Sequence, residues 1–420
     1  MKVFKFGGAS VKDAEGIRNV GRILQMFENE NIVIIVSAMG KTTNALEQIA
    51  ELAFNEKDFD DALNILIQNH QQIISALQID FNIEHYKQLI QTQLSQSKQF
   101  SYPKFYDQVV SIGEIISSAI LSSYLNHAAI NNTWLDVRTV IHTDETWREG
   151  IVDWDKTNVS CTTILPALLE KGHVVTQGFI GGTSSGLVTT LGREGSDFTG
   201  AVFSNCLNAE GLWIWKDVPG VLTADPKEFP YKTQLHELTY YEAVEMTYYG
   251  AQVIHPKTIK PLQNKQIPLY VRSFINPEAA GTRIYADDSD KTYPPIIVLK
   301  KNQLLMSVKA NDFSFIAENN LSNIYNLFAD YKVKANMIQT AALSFSAVVD
   351  NNPYTLNPLF EKLAEEYEIL TNDNLQLLTI RHYTGEIIEE LTKGKEILLE
   401  QRSRQTIQFL ISDQRRGDSK

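Results

Sequence analysis

Between Gly178 and Lys227 the chain reads GFIGGTSSGLVTTLGREGSDFTGAVFSNCLNAEGLWIWKDVPGVLTADPK, and this stretch narrows the fold further than any other. A glycine-rich, Thr/Ser-dense turn leads to Asp197 and a helical run. A buried strand, LWIWK, and a second polar loop follow. Glycines ahead of a helix N-terminus let backbone amides approach an anion, and such loops sit at the carboxyl edge of α/β sheets. The pattern predicts a phosphate-handling site on an α/β fold.

The rest of the chain agrees. Short β-branched or aromatic runs at 2–6, 31–36, 134–137, 173–177, 212–216 and 267–271 alternate with helical stretches at 13–28, 109–126, 162–170, 197–208 and 240–249. That alternation predicts a mostly parallel sheet sandwiched by helices. Residues from about 43 to 125 show helical periodicity without a strand and read as a helical excursion. The acidic stretch ending in a proline pair at 285–295 reads as a linker, so the expected division is 1–285, a linker at 286–297, and 298–420. Beyond the linker, the order β-α-β-β-α-β followed by β-α-β-β predicts a small α+β unit and a shortened second copy.

Charge and cysteine content exclude several classes. With 38 basic and 50 acidic residues, the net charge of −12 argues against a nucleic-acid partner. Cys161 and Cys206 offer neither a disulfide framework nor metal-ligand spacing, so no protein-held metal is expected. No apolar run approaches the ~18 residues of a membrane span, and MKVFKFGG enters a strand at once, so the chain reads as cytoplasmic with no membrane partner.

Four segments carry candidate chemistry. In KFGGAS, Gly7 and Gly8 permit close approach of amides to phosphate, and Lys5 supplies a compact positive charge; taken alone, the segment is better explained as an ordinary strand-to-helix turn. VSAMGKTTN places hydroxyls, including Thr43, after an apolar strand, or simply caps a helix. In VSIGE, Glu114 stands in an apolar helical run, where an unpaired charge costs several kcal/mol. Its partner is either a protein cation or a substrate ammonium. In LGREGSDFT, Arg193 can fork onto a carboxylate, and Ser196 and Asp197 stand where a helix begins. Lys216, Asp217 and Lys227 lie in the polar loop that follows. His255, before a proline, reads as a turn or core histidine.

In order, KFGGAS, VSAMGKTTN, VSIGE, GFIG…TLGREGSDFT, WKDVPGVLTADP and YGAQVIHPKT resemble the aspartate kinases of the amino-acid-kinase family over residues 1–285. The tail resembles that family's paired ACT modules more loosely. The resemblance implies phosphoryl transfer from MgATP to the β-carboxylate of L-aspartate, the first step toward lysine, threonine and methionine. It implies that Lys5 and the Gly7 and Gly8 amides stabilise the transferring group, while Asp197 orients Lys5 and assists Mg²⁺ placement. Arg193 would grip the substrate α-carboxylate and Glu114 its ammonium, with Thr43 and Ser196 nearby. Lys216, Asp217, Lys227 and Gln252 would line the nucleotide site. A homodimer through the ACT-like region is implied, and the tail acts either as an effector site or as a purely structural dimerisation element.

The chain departs from the family pattern at Ala9 (usually Thr), Glu194 (usually small), Lys216 (often Thr) and Gln252 (often Lys). Glu194 is expected to add negative charge beside an anionic site. A related acetylglutamate or glutamate kinase, and a non-catalytic sensor on the same fold, are the competing readings.

Overall fold

The computed structural model describes residues 1–27, 30–230, 232–251, 254–287, 291–311 and 315–412. In chain order the elements are β1 (Lys2–Phe6), α1 (Ala14–Gln25), β2 (Ile32–Val36), α2 (Thr42–Phe54), α3 (Asp60–Leu77), α4 (Ile83–Leu94), α5 (Tyr102–Val110) and α6 (Ile112–His127). Next come β3 (Asn132–Leu135), β4 (His142–Thr143), α7 (Trp154–Leu169), β5 (His173–Gln177), β6 (Ile180–Thr183), β7 (Val188–Thr190), α8 (Gly195–Cys206) and β8 (Leu212–Lys216). They are followed by β9 (Val221–Leu222), β10 (Gln234–Leu235), β11 (Glu237–Thr239), α9 (Tyr240–Tyr248), α10 (Pro256–Gln263), β12 (Leu269–Ser273) and β13 (Thr282–Tyr285). The chain packs into two compact units: Met1–Val221 with Gln234–Val244 and Val253–Asp288, and Leu222–Thr233 with Glu245–Gln252 and Ser289–Lys420.

The first unit is built on an eight-stranded sheet of order β11-β13-β12-β8-β1-β2-β5-β3. Its paired strands are parallel except β12 with β13. The central strands are apolar on both faces, as helix-covered parallel strands must be; all five residues of β2 are buried. Along β1 the period of two sends Phe4 and Phe6 into one core with Trp213 and Trp215, leaving Lys5 on the opposite face. Because β2 and β8 flank β1 on either side, the chain reverses direction across the sheet there. That switch point is where open α/β sheets place ligands.

The helical excursion forms α2 to α6. The expected helix at 109–126 breaks at Ser111 into α5 and α6, and Tyr102–His127 together is long and apolar enough to cross a membrane. It is mostly buried within the fold instead, as a core segment. α7 starts at Trp154, earlier than expected, because the Asp153 side chain accepts the Lys156 N–H at 3.1 Å and caps it. A small sheet, β4-β6-β7, was not anticipated; its hairpin occupies the glycine-rich segment read as a turn.

The second unit contains β14 (Ile296–Ala310), α11 (Glu318–Asp330), β15 (Ala335–Ala341), β16 (Ser344–Asp350), α12 (Pro353–Leu363), β17 (Tyr367–Arg381), α13 (Gly385–Thr392), β18 (Glu396–Arg402) and β19 (Thr406–Ser412). These strands form one antiparallel sheet, β15-β16-β14-β17-β19-β18. The expected tandem copies are therefore interleaved. β14 and β17 run through both halves, with register shifts between Lys300 and Leu305 marking the boundary. One half packs Met306, Val308, Ile324, Phe328 and Leu359 into its core, and the other packs Ile297, Leu378, Ile380 and Phe409. Among the described residues α13 is the one helix of 298–420 packed on the second half, where Ala224 and Phe229 complete the core, and the half is correspondingly short.

Candidate active site

The site grows from the carboxyl ends of β1, β2, β5 and β8. Lys5 Nζ lies 2.6 Å from Asp197 Oδ1, and both side chains are buried. Burial alone pushes the Asp197 carboxyl up, but the charges of Lys5 and Lys216 outweigh it and hold the group below its ordinary range. Asp197 therefore stays ionised, and the Lys216 charge reaches it as well. α8 brings it there by starting at Gly195.

Close packing explains the glycines. A Cβ on Gly8 would lie 2.5 Å from the Ala38 carbonyl oxygen, and the Gly40 amide donates to the Gly8 carbonyl at 2.9 Å. The loop after β1 thus rides on the loop after β2. A Cβ on Gly178 would lie 2.6 Å from the Ser196 Cβ, which seats β5 against the start of α8. Phe179 follows with φ of 70°, a left-handed conformation costly for a bulky side chain. Its amide accepts no compensation from strand pairing but donates to Thr199 Oγ1 at 3.0 Å. Sequence reasoning missed Phe179, since nothing in the composition of the segment marks positive φ there.

Glu114 lies at the start of α6 and is buried. Its Oε1 accepts the Ala38 N–H at 3.4 Å, and its Oε2 has no hydrogen-bond partner among the described residues. Burial pushes its carboxyl from 4.5 up to about 8, against smaller opposing effects of the Ala38 amide, its own amide and the Lys5 charge. The protein cation offered in the sequence reading as one possible partner is thus not bonded to it. Thr43 sits half-buried in the first turn of α2.

The remaining candidates range from buried to exposed. Ser196 is buried, while Arg193 projects from the loop ahead of α8, is exposed, and makes no ion pair among the described residues. Gly7 is half-buried beside Lys5 Nζ, and Asp217 is exposed beyond β8. Lys227 is exposed in a loop of the second unit, where its amide donates to Asp225 Oδ1 at 2.8 Å. Gln252 lies outside the described residues. Ala9 is exposed.

Glu194 has a partner that the sequence did not reveal. Its Oε2 accepts the His255 N–H at 3.0 Å, tying the loop to the start of α10, where His255 is the cap. The carboxylate is thereby engaged in capping. His255 Nδ1 accepts the Lys257 N–H at 3.2 Å, as expected of a turn histidine.

The site thus sets a buried lysine-carboxylate pair beside two glycine-bearing loops and a buried carboxylate with one oxygen unpaired among the described residues. Residues 1–273 match the Amino acid kinase family. Over 89% of the chain and 68% of the relative, the sequence is 31% identical to aspartokinase 1, chloroplastic, of Arabidopsis thaliana. Over 84% of the chain and 79% of the relative, it is 30% identical to lysine-sensitive aspartokinase 3 of Escherichia coli (strain K12). The solved structure of E. coli aspartokinase III with aspartate and ADP superposes with a TM-score of 0.82 at 25% identity, covering 98% of this chain and 96% of that one. The chain belongs to the aspartate kinases of the amino acid kinase family.

Proposed function

We propose that this chain transfers the γ-phosphoryl group of MgATP to the β-carboxylate of L-aspartate, giving 4-phospho-L-aspartate and ADP, with catalysis in residues 1–285. The carrying observation is the free Oε2 of buried Glu114, which a substrate ammonium would complete, set in the same cluster as Lys5 and Asp197.

The substrate β-carboxylate has an ordinary pKa near ~3.9 and is ionised at neutral pH, so no general base is required. Its oxygen forms the new bond to the γ-phosphorus as the bond to the ADP oxygen breaks. The obstacle is repulsion between two anions, which positioning and charge neutralisation overcome. Lys5 is assigned to the transferring group together with the Gly7 and Gly8 amides, and Asp197 holds Lys5 in place. Arg193 is assigned to the α-carboxylate and Glu114 to the ammonium, with Thr43 and Ser196 as hydroxyl donors. Lys216 and Asp217 are assigned to the nucleotide, whose Mg²⁺ arrives with it; Lys227 and Gln252 keep that role on motif alone.

We assign residues 298–420 a role in homodimer formation. The six-stranded sheet offers β15 and β18 as outer strands, and Leu343 and Ile397 are exposed near those edges. Light scattering of the purified chain would return twice its 47.5 kDa mass.

The test of the activity is ADP release with MgATP and L-aspartate, L-glutamate or N-acetylglutamate in parallel. Turnover with aspartate alone supports the reading. Turnover with another acid moves the chain to a neighbouring specificity, and nucleotide binding without turnover makes it a sensor.

A further inference from the structure

Seven residues before Glu114, at the end of α5, two buried polar side chains point across to β7. Asp107 Oδ1 accepts the Thr190 hydroxyl at 2.7 Å, and its Oδ2 accepts the Arg148 N–H at 2.8 Å. Gln108 bonds both ways to Val188: its Oε1 accepts the N–H at 3.0 Å, and its Nε2 donates to the carbonyl at 2.7 Å. Gln108 thus acts as a neighbouring strand residue would. β7 leads within three residues to Arg193, and the path is held at Leu191. Leu191 N–H donates to the Phe179 carbonyl at 2.7 Å, and Lys257 Nζ donates to the Leu191 carbonyl at 2.8 Å.

Asp107 is therefore two helical turns from Glu114 along one chain segment, and Thr190 is three residues from Arg193 along another. The two residues assigned to the substrate ammonium and α-carboxylate are roughly eighty positions apart in sequence, and this bond links the segments that carry them. An amino acid presents both groups from a single carbon, so a site that recognises them needs a fixed spacing between its carboxylate and its guanidinium. Packing alone needs no ionised side chain here. A buried carboxylate carries a desolvation cost of several kcal/mol that an apolar contact between α5 and β7 avoids.

We propose that Asp107 and Gln108 are positioning residues that set the spacing of Glu114 and Arg193, and so govern binding of the amino-acid head group separately from phosphoryl transfer. The proposal rests on the aspartate kinase reading above. Both residues act through protein partners: Thr190 and Arg148 for Asp107, Val188 for Gln108. Because the strut acts on the two head-group contacts, its loss weakens aspartate binding while leaving the Lys5–Asp197 centre and the nucleotide contacts intact.

Thr190→Val removes the hydroxyl and keeps the branched strand residue; Thr190→Ser restores the hydroxyl. Steady-state kinetics of the full chain should show the aspartate KM of Thr190→Val raised about tenfold, the cost of one charge-assisted hydrogen bond. The ATP KM and kcat should stay within about threefold, since the nucleotide and phosphoryl contacts are untouched. Thr190→Ser should return the aspartate KM to within about twofold of wild type. A variant with lowered kcat or melting temperature but unchanged aspartate KM would show the strut to be a fold element only and overturn the proposal. Absence of aspartate turnover in the wild type would overturn the functional reading, and the proposal with it.

Discussion

If Glu114 receives the aspartate ammonium, as proposed above, its buried carboxyl makes aspartate binding a proton-coupled event. In the free protein, burial holds the group at about 8, so at pH 7 about nine molecules in ten carry the proton. A bound ammonium beside Oε2 favours the charged form, and the proton leaves. Aspartate binding at pH 7 should release roughly 0.9 proton, falling toward none above about pH 9, and the apparent affinity should rise nearly tenfold per pH unit between about 6 and 7.5. The same shift has a sign for folding. Between 4.5 and about 8 the native state binds more protons than the unfolded chain, so stability falls as pH rises through that window. At 1.36 kcal/mol per unit, the full fall is at most roughly 5 kcal/mol. Glu114→Gln keeps the shape, removes both dependences, and should weaken aspartate binding about a hundredfold by deleting the buried ion pair. Titration calorimetry in two buffers of different ionisation enthalpy counts the protons directly. Zero release by wild type at pH 7, or equal release by Glu114→Gln, would refute the assignment of Glu114 to the ammonium.

Two substitutions probe the loops. Gly8→Ala sets a methyl 2.5 Å from the Ala38 carbonyl and forces the two phosphate-edge loops apart; aspartate-dependent ADP formation should fall about a hundredfold with the protein still folded by circular dichroism. Glu194→Ala removes the bond to the His255 amide and should cost about 1 kcal/mol in a urea melt, with kcat within about threefold of wild type. A large rise in kcat would show instead that the Glu194 charge acts on the reacting groups.

Much of the catalytic half was legible because its signals are local. Strand runs such as IVIIV end in glycine or hydroxyl turns, and six motifs in order carry the family. Glu114 was found by one argument, a charge inside an apolar helix. Asp107 and Gln108, seven and six residues upstream, fell outside the helical stretch expected at 109–126. Their partners on β7 lie about eighty residues away and the Arg148 amide 41, so the sequence alone could not say what they hold. Glu194 was read by its charge, whereas its orientation depends on the left-handed backbone at φ 52° and on an amide 61 residues away. The interleaving of β14 and β17 was hidden for a similar reason. KKNQ and TNDN are polar stretches, yet antiparallel pairing across the sheet carries each strand through its polar centre.

The central claim is that Lys5, held by Asp197, neutralises a phosphoryl group passing to the β-carboxylate of aspartate. The acyl phosphate product can be trapped with hydroxylamine and its hydroxamate identified as the β or α isomer by chromatography against standards. Wild type with MgATP and L-aspartate should yield the β-hydroxamate, and Lys5→Ala should reduce its rate by about a thousandfold with aspartate binding retained. An α-hydroxamate, or undiminished β-hydroxamate from Lys5→Ala, would contradict the account.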